Sequence, residues 1–394
     1  MRRSRLPTGG LNLFQQVRAK RTEALEQGLS LMDLSIGEPK GAALTTARQA
    51  AAEAILSDDE AMHAYQYNAS PGVAQFAERF VRGHLSDDLT DDSLSYLPIP
   101  GIKPILGLLP LACGCANESV TVATMTRPGY PTPADWCAYH PHVTHKALSL
   151  SPDNAFRFAP SDIGHDVDLI MMNYPHNPSG QIASTDWLHS ICEFCSANDI
   201  RLFNDAAYIS LSHSEDSTAL SEVADHYPAL SWAEAFTAAK LIGNGTGWHV
   251  GAMVGSADFI TNIAEVKGKT DTGHVAPMAA GAIACLENDQ ASIAALRAMY
   301  ARRLDSLMNL LSTEGMRPAI EPKAGFYTLW KTPDRAFGEA VHSPAEFNFR
   351  MITEVGVVGV HFGEFIRYAV CDDVEAIAES LTTAFRAASV QYDD

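Results

Sequence analysis

The sequence predicts an α/β protein, a mostly parallel β-sheet covered on both faces by helices and followed by a smaller α+β portion. Three observations carry this. Between Gly101 and about residue 285, short β-rich runs alternate with helical spacers. The alternation then stops, and a long helical pattern at 276–312 leads into the mixed stretch that begins Ala324-Gly325-Phe326-Tyr327. With 394 residues and 46% hydrophobic content, the chain can bury a large core, and its length points to two or three domains.

Taken in order, residues 11–29 place Leu11, Phe14, Val17, Ala24 and Leu25 at helical spacing. Leu31 to Pro39 reads as a strand leaving into a loop. Helical patterns at 45–57 and 72–84 flank Tyr65-Gln66-Tyr67-Asn68-Ala69-Ser70-Pro71-Gly72, whose turn residues mark an exposed loop. The alternating region reads as a helix at 102–114, strands at 119–125, 143–149 and 167–173, and a helix at 184–197. Strands at 200–204, 230–236 and 250–255 complete it. In sheets of this kind, ligands sit outside the carboxyl ends of the strands. Three motifs fall at such ends: Asn173 to Gly180 (Asn-Tyr-Pro-His-Asn-Pro-Ser-Gly), Asn204 to Tyr208 (Asn-Asp-Ala-Ala-Tyr), and Ala235 to Lys240.

Charge narrows the function. Acidic residues outnumber basic ones 47 to 28, a formal charge of -19, which argues against a nucleic-acid or anionic-membrane surface because both need clustered cations. An anionic small substrate would need a local cationic pocket. The basic start, Met1 to Arg5, leads into Leu-Pro-Thr-Gly-Gly rather than an apolar core, so no secretory signal is expected. No apolar run reaches membrane-spanning length. Seven scattered cysteines fit free thiols in a reducing compartment, and a cytoplasmic enzyme is expected. Cys192 and Cys195 form a CxxC without a second ligand pair, so zinc or redox chemistry is not expected there. Gly243 to Gly247 lacks the spacing of a dinucleotide loop.

Lys240 sits among Phe236, Ala238, Ala239, Leu241 and Ile242, an apolar setting that lowers a lysine pKa and frees its amine for covalent and proton-transfer work. Singly, Lys240 also reads as a surface lysine, Asp205 as a turn aspartate and Thr237 as a strand threonine. Their order, with the Asn-Pro-Ser-Gly turn some thirty residues before Asp205 and Lys240 some thirty after it, resembles the pyridoxal-phosphate enzymes of the aspartate-aminotransferase class. The resemblance covers about 30 to 370.

That resemblance implies fold type I, with a mostly parallel seven-stranded sheet in a large domain at 45–285. It also implies an N-terminal arm and part of the small domain at 1–44, and a C-terminal small domain at 286–394. Lys240 would hold pyridoxal 5'-phosphate and serve as general base at the substrate α-carbon. Asp205 would keep the pyridine nitrogen protonated, while Tyr208 and Asn177 bond the ring's phenolic oxygen. Gly101, Ile102, Lys103 and Thr237 would meet the phosphate. Tyr130 would stack on the ring, and Tyr67 would reach the phosphate of a second subunit, making a homodimer. Gly37, Asn177 and Arg367 would face the substrate, with Arg367 on its α-carboxylate.

The expected activity is transfer of an amino group between an amino acid and a 2-oxo acid, most often 2-oxoglutarate. Leu34 to Lys40 resembles the branch that acts on diaminopimelate or its succinyl derivative. One departure is clear. Where the resemblance places a phosphate-binding arginine, this chain has Trp248 and then His249, with no arginine between Arg201 and Arg297, so His249 and Lys103 become the candidates for that charge. A lyase, decarboxylase or cyclase on the same scaffold is the nearest alternative, and a non-catalytic binding protein that kept the fold is the alternative from another class.

Overall fold

The computed structural model describes residues 13–86, 89–91 and 93–393; Leu11 and the basic start lie outside them. Seven strands form the central sheet: β1 Ser95–Ile99, β2 Val120–Arg127, β3 Val143–Ser149, β4 Leu169–Met172, β5 Arg201–Asp205, β6 Trp232–Thr237 and β7 Gly251–Gly255. Their order is β1-β7-β6-β5-β4-β2-β3, and only β7 runs antiparallel to its neighbours. Every residue of β4, β6 and β7 is buried, because helices cover both faces. Successive residues alternate between two cores. Ile170, Leu202 and Phe236 pack with the helices Phe76–Arg82, Thr185–Ala197 and Ala276–Asn288. Leu169, Phe203 and Ala235 pack with Ile102–Leu106, Leu109–Ala112 and Ala257–Lys267. Even the one buried acid of β6, Glu234, is satisfied, by Asn204 Nδ2 at 2.7 Å and the amides of Leu220 and Ser221 at 3.0 and 2.7 Å.

A second, antiparallel sheet comprises β8 Pro318–Ile320, β9 Tyr327–Lys331, β10 Val360–Phe362 and β11 Phe365–Ala369, in the order β10-β11-β9-β8. Its core is separate, built on Trp330, Leu304, Phe347 and Phe385. The N-terminal segment belongs with it. Val17 and Ala24 of the helix Leu13–Glu26 pack on Ile352 and Val358, and Met32–Asp33 pairs in parallel with Val357–Val358.

Several elements differ from the sequence expectation. The strand expected from Leu31 pairs only over Met32–Asp33, and the helix at 72–84 begins at Phe76. The helix at 102–114 is two short helices, divided where Gly107 caps the first and Pro110 opens the second. The pattern at 276–312 breaks at Asp289, whose carboxylate accepts Ser292 N at 3.2 Å as the N-cap of Gln290–Thr313. Strand β1 and the helices Thr132–Cys137, Leu220–Ala224 and Ala257–Lys267 were not expected at all. Pro98 disguises β1, which tolerates the missing N–H because it is an edge strand.

Candidate active site

Strand β6 runs directly into the four-residue helix Ala238–Leu241, and Thr237 caps the turn by accepting Ala239 N at 3.1 Å. This junction fixes Lys240 at the carboxyl end of the sheet. Its Nζ lies 5.6 Å from the Phe326 ring centroid and makes one hydrogen bond, to Gly37 O at 3.1 Å. Desolvation holds the lysine below its ordinary pKa, as its apolar sequence neighbours suggest. Gly37 is a glycine for a reason of space: a Cβ there would fall on the Tyr327 hydroxyl.

Asp205 ends the neighbouring strand β5. Burial pushes its carboxyl up to about 7, against the pull of the Ala207 N–H at 3.1 Å and of the Lys240 charge. Asn173, at the end of β4, ties this acid's backbone to the next motif, donating to Asp205 O at 2.8 Å and accepting Asn177 N at 3.0 Å. Asn177 in turn accepts Arg367 Nη1 at 2.9 Å through its side-chain oxygen, which leaves the amide nitrogen for another acceptor. Arg367 enters from β11 and is only 2% exposed. Its Nη2 donates to Ser35 O at 2.7 Å, and the guanidinium lies 4.2 Å from the Tyr327 ring centroid and 4.9 Å from that of Phe362. Its Nε is buried without a partner, and no carboxylate among the described residues pairs with it. A buried arginine lacking an anion is costly, and a substrate carboxylate would supply one. Tyr208 shares a 3.2 Å hydrogen bond with Tyr327, and burial raises its phenol pKa.

These groups line one cavity of about 900 Å³, together with Gly101, Ile102, Lys103, Tyr130, Thr237 and His249. Gly101 adopts φ +93°, a conformation that only glycine takes without strain, and turns the chain from β1 into the helix Ile102–Leu106. Ile102 is buried and Lys103 exposed, so the first offers its backbone and the second its charge. His249 is also exposed, at φ +54°.

Tyr67 is the one expected site residue outside the cavity. It is 51% exposed at φ +42°, yet its backbone is clamped: its N–H donates to Thr272 O at 2.8 Å and its carbonyl accepts Lys267 Nζ at 3.3 Å.

The cavity also holds residues to which the sequence reading assigned no role. Tyr327 touches Tyr208, Gly37 and Arg367, and Asn173 braces Asp205; Asn173 was visible as part of its motif, whereas Tyr327 lies on a distant strand with nothing local to mark it. Phe14, Arg18 and Arg21 come from a helix whose pattern looked merely amphipathic, and Trp136 from the helix Thr132–Cys137, which the sequence did not predict. Cys192 and Cys195 are buried free thiols in one helix, and no group of His, Cys, Asp or Glu among the described residues could hold a metal.

The donor set fits pyridoxal phosphate on its own geometry: a desolvated amine, a buried acid poised near neutrality without a cation on it, and a free amide nitrogen on Asn177. Comparison with known proteins agrees. The family model of aminotransferase class I and II matches residues 30–376. The LL-diaminopimelate aminotransferase of Syntrophobacter fumaroxidans is 25% identical, with 94% of each chain covered. That of Dehalococcoides mccartyi is 28% identical over 88% of this chain and 86% of its own. In fold, the aspartate aminotransferase of Rhizobium meliloti superposes with a TM-score of 0.84 at 19% identity, covering 99% of this chain and 98% of that one. The lyase and binding-protein alternatives gain nothing from these relatives. With the match running through all three strand-end motifs and on to Arg367, the chain belongs to the class I and II aminotransferases, pyridoxal-phosphate enzymes of fold type I that act on amino acids and 2-oxo acids.

Proposed function

We propose that this aminotransferase takes a diaminopimelate-type amino acid as donor and a 2-oxo acid such as 2-oxoglutarate as acceptor. The observation that carries the site assignment is the buried, anion-free guanidinium of Arg367 opening on the same cavity as the desolvated amine of Lys240. The naming of the relatives for LL-diaminopimelate supports the donor.

Pyridoxal phosphate, when bound, supplies the conjugated ring that takes up the electron pair released at the substrate α-carbon. Lys240 would hold the cofactor covalently and would serve as the base for the α-proton. Asp205 would pair with the ring nitrogen and favour its protonated form. Asn177 and Tyr208 would hold the phenolic oxygen, and Tyr130 would stack on the ring. Arg367 would bind the α-carboxylate beside Gly37. Thr237, Lys103, His249 and the amides after Gly101 would meet the phosphate in place of the absent arginine. Tyr67, facing outward on its clamped turn, serves the site of a second copy in a homodimer. The chain divides at about 44 and 285, and the pairing of Met32–Asp33 with Val357–Val358 supports a small domain made from both ends. Seven free cysteines support a reducing, cytoplasmic setting.

Spectral conversion of the bound cofactor across a panel of amino acids tests the donor. LL-diaminopimelate should convert it with the highest kcat/KM; a stronger response to an amino acid lacking a second carboxylate overturns the assignment. For the shared site, inactive Lys240→Ala and Tyr67→Ala chains mixed into verified heterodimers should recover activity. No recovery places Tyr67 in its own subunit.

A further inference from the structure

The cavity extends past Arg367 to the N-terminal helix Leu13–Glu26, which contributes Phe14, Val17, Arg18 and Arg21 to its wall. The two arginines are in different states. Arg21 Nη2 is tied to Asp33 Oδ2 at 2.6 Å, and the other oxygen of Asp33 accepts Ser35 N and Oγ at 3.0 and 2.6 Å, so this charge is spent on holding the helix to the strand after it. Arg18, one turn earlier, is exposed on the cavity wall, and its guanidinium has no acidic partner among the described residues. In a chain with a formal charge of -19, an arginine left without a carboxylate beside a cavity is a cation with no account given of it.

The helix is held in place against the substrate-binding strand. Val17 and Ala24 are buried on Ile352 and Val358, and Phe14 meets the Phe362 ring edge-on at 6.2 Å. Phe362 is the ring whose other contact is the Arg367 guanidinium, at 4.9 Å. Phe14 and Arg18 are four residues apart and share a helix face, and both line the cavity that Arg367 enters. Ile36, Leu106 and Trp136 supply apolar lining to the same cavity, and Gly107 lets the Trp136 ring close over the backbone, since a Cβ at Gly107 would lie 2.5 Å from the indole.

We propose that Arg18 is a specificity-determining residue that binds the anionic group at the far end of the substrate side chain, with Ile36, Leu106 and Trp136 receiving the methylenes. This rests on the proposed placement of the α-carboxylate on Arg367 and deepens the substrate assignment. The substrate class is an α-amino or 2-oxo acid whose chain of several methylenes ends in a carboxylate. Glu38, whose carboxylate also lines the cavity and accepts Thr246 Oγ1 at 2.8 Å, is the group suited to an ammonium beside that terminal carboxylate.

The test compares 2-oxoglutarate with 2-oxopentanoate, the same chain without the terminal carboxylate, in the half-reaction of the aminated holoenzyme. In the wild type, kcat/KM favours 2-oxoglutarate. Arg18→Gln should reduce that ratio about ten- to a hundredfold, as loss of a charge-assisted pair does, mainly through KM, and Arg18→Lys should restore part of it. Lys20→Gln, on the same helix but paired with Glu23 at 2.7 Å, should leave the ratio unchanged. A wild type indifferent to the terminal carboxylate overturns the proposal, as does an Arg18→Gln ratio within twofold of wild type. Failure with diaminopimelate while 2-oxoglutarate is still preferred would remove the donor assignment and leave the role of Arg18 standing.

Discussion

Lys240 and Lys267 are both enclosed by the protein, and their surroundings have almost nothing else in common. The Lys267 side chain has 0% exposure, and its Nζ donates to Asp271 Oδ1 at 2.8 Å and to Tyr67 O and Asn68 Oδ1 at 3.3 Å each. Three acceptors, one of them a carboxylate, hold its charge. Lys240 has a single carbonyl and an aromatic face, and burial outweighs the pull of Cys371, Glu38 and Asp205 and holds it below its ordinary pKa. What distinguishes Lys240 is enclosure with few acceptors. Lys267 uses the same chemical group to lock the backbone of an exposed tyrosine in a left-handed conformation.

The largest expected effect separates the two by activity. Lys240→Ala should lower turnover by about 10⁴ or more and end borohydride trapping of the cofactor on the chain. Retention of a reducible adduct would remove Lys240 from its role.

Next comes the acid that shares the Lys240 environment. With a folded-state value of about 7 against an ordinary 3.8, Asp205 binds a proton in the folded chain that the unfolded chain has lost. Its contribution to the stability of the cofactor-free protein is complete below pH 3.8 and is lost as pH rises through about 7, a fall of roughly 4 kcal/mol at most. Asp205→Asn should flatten that part of the profile and make the cofactor-free variant the more stable at pH 8, in urea denaturation. Parallel profiles would mean that the carboxyl stays ionised in the folded state. Holoenzyme carrying the same substitution should bind cofactor but turn over far more slowly.

Lys267→Met should cost about 2–3 kcal/mol, below the usual loss for a broken buried pair because Asp271 keeps 22% exposure. Its thermal midpoint should drop and the Tyr67 turn loosen, read as faster amide exchange over 66–73. An unchanged midpoint would show that the clamp is not a stabilising contact.

The smallest effect completes the contrast. Lys240, held below its ordinary value, lets the unfolded chain bind the extra proton, so stability of the cofactor-free protein rises with pH across the window below 10.5. Lys240→Met should remove that rise and destabilise the protein less than Lys267→Met does, if at all. A larger loss at 240 than at 267 would reverse the reading of the two lysines.

Much of the sheet and the three motifs at its carboxyl ends were legible in the sequence, for a local reason. A strand buried on both faces is a run of apolar residues, and the loop that follows must carry the polar groups. Lys240, Asp205 and Asn177 therefore stand out as polar groups at strand ends, while their order along the chain, and Arg367 with them, was legible only through the resemblance to the aspartate-aminotransferase class. Strand β1 was hidden by Pro98, acceptable only because pairing with β7 alone leaves it at the edge, and the break at Asp289 turns on a cap that the helical pattern runs straight through.

What tertiary structure alone decided is which groups end up without partners. Lys267 meets Asp271 four residues on, a partner its own helical spacing supplies, whereas the one hydrogen-bond acceptor of Lys240, Gly37 O, lies two hundred residues away and nothing local points to it. Tyr327 became part of the site by lying over Gly37 and Arg367, and Arg18 by a helix that docks on Val358 and faces the cavity. For Lys240 and Arg367 the partners are set by contacts some two hundred residues or more away in sequence, which composition and periodicity do not encode.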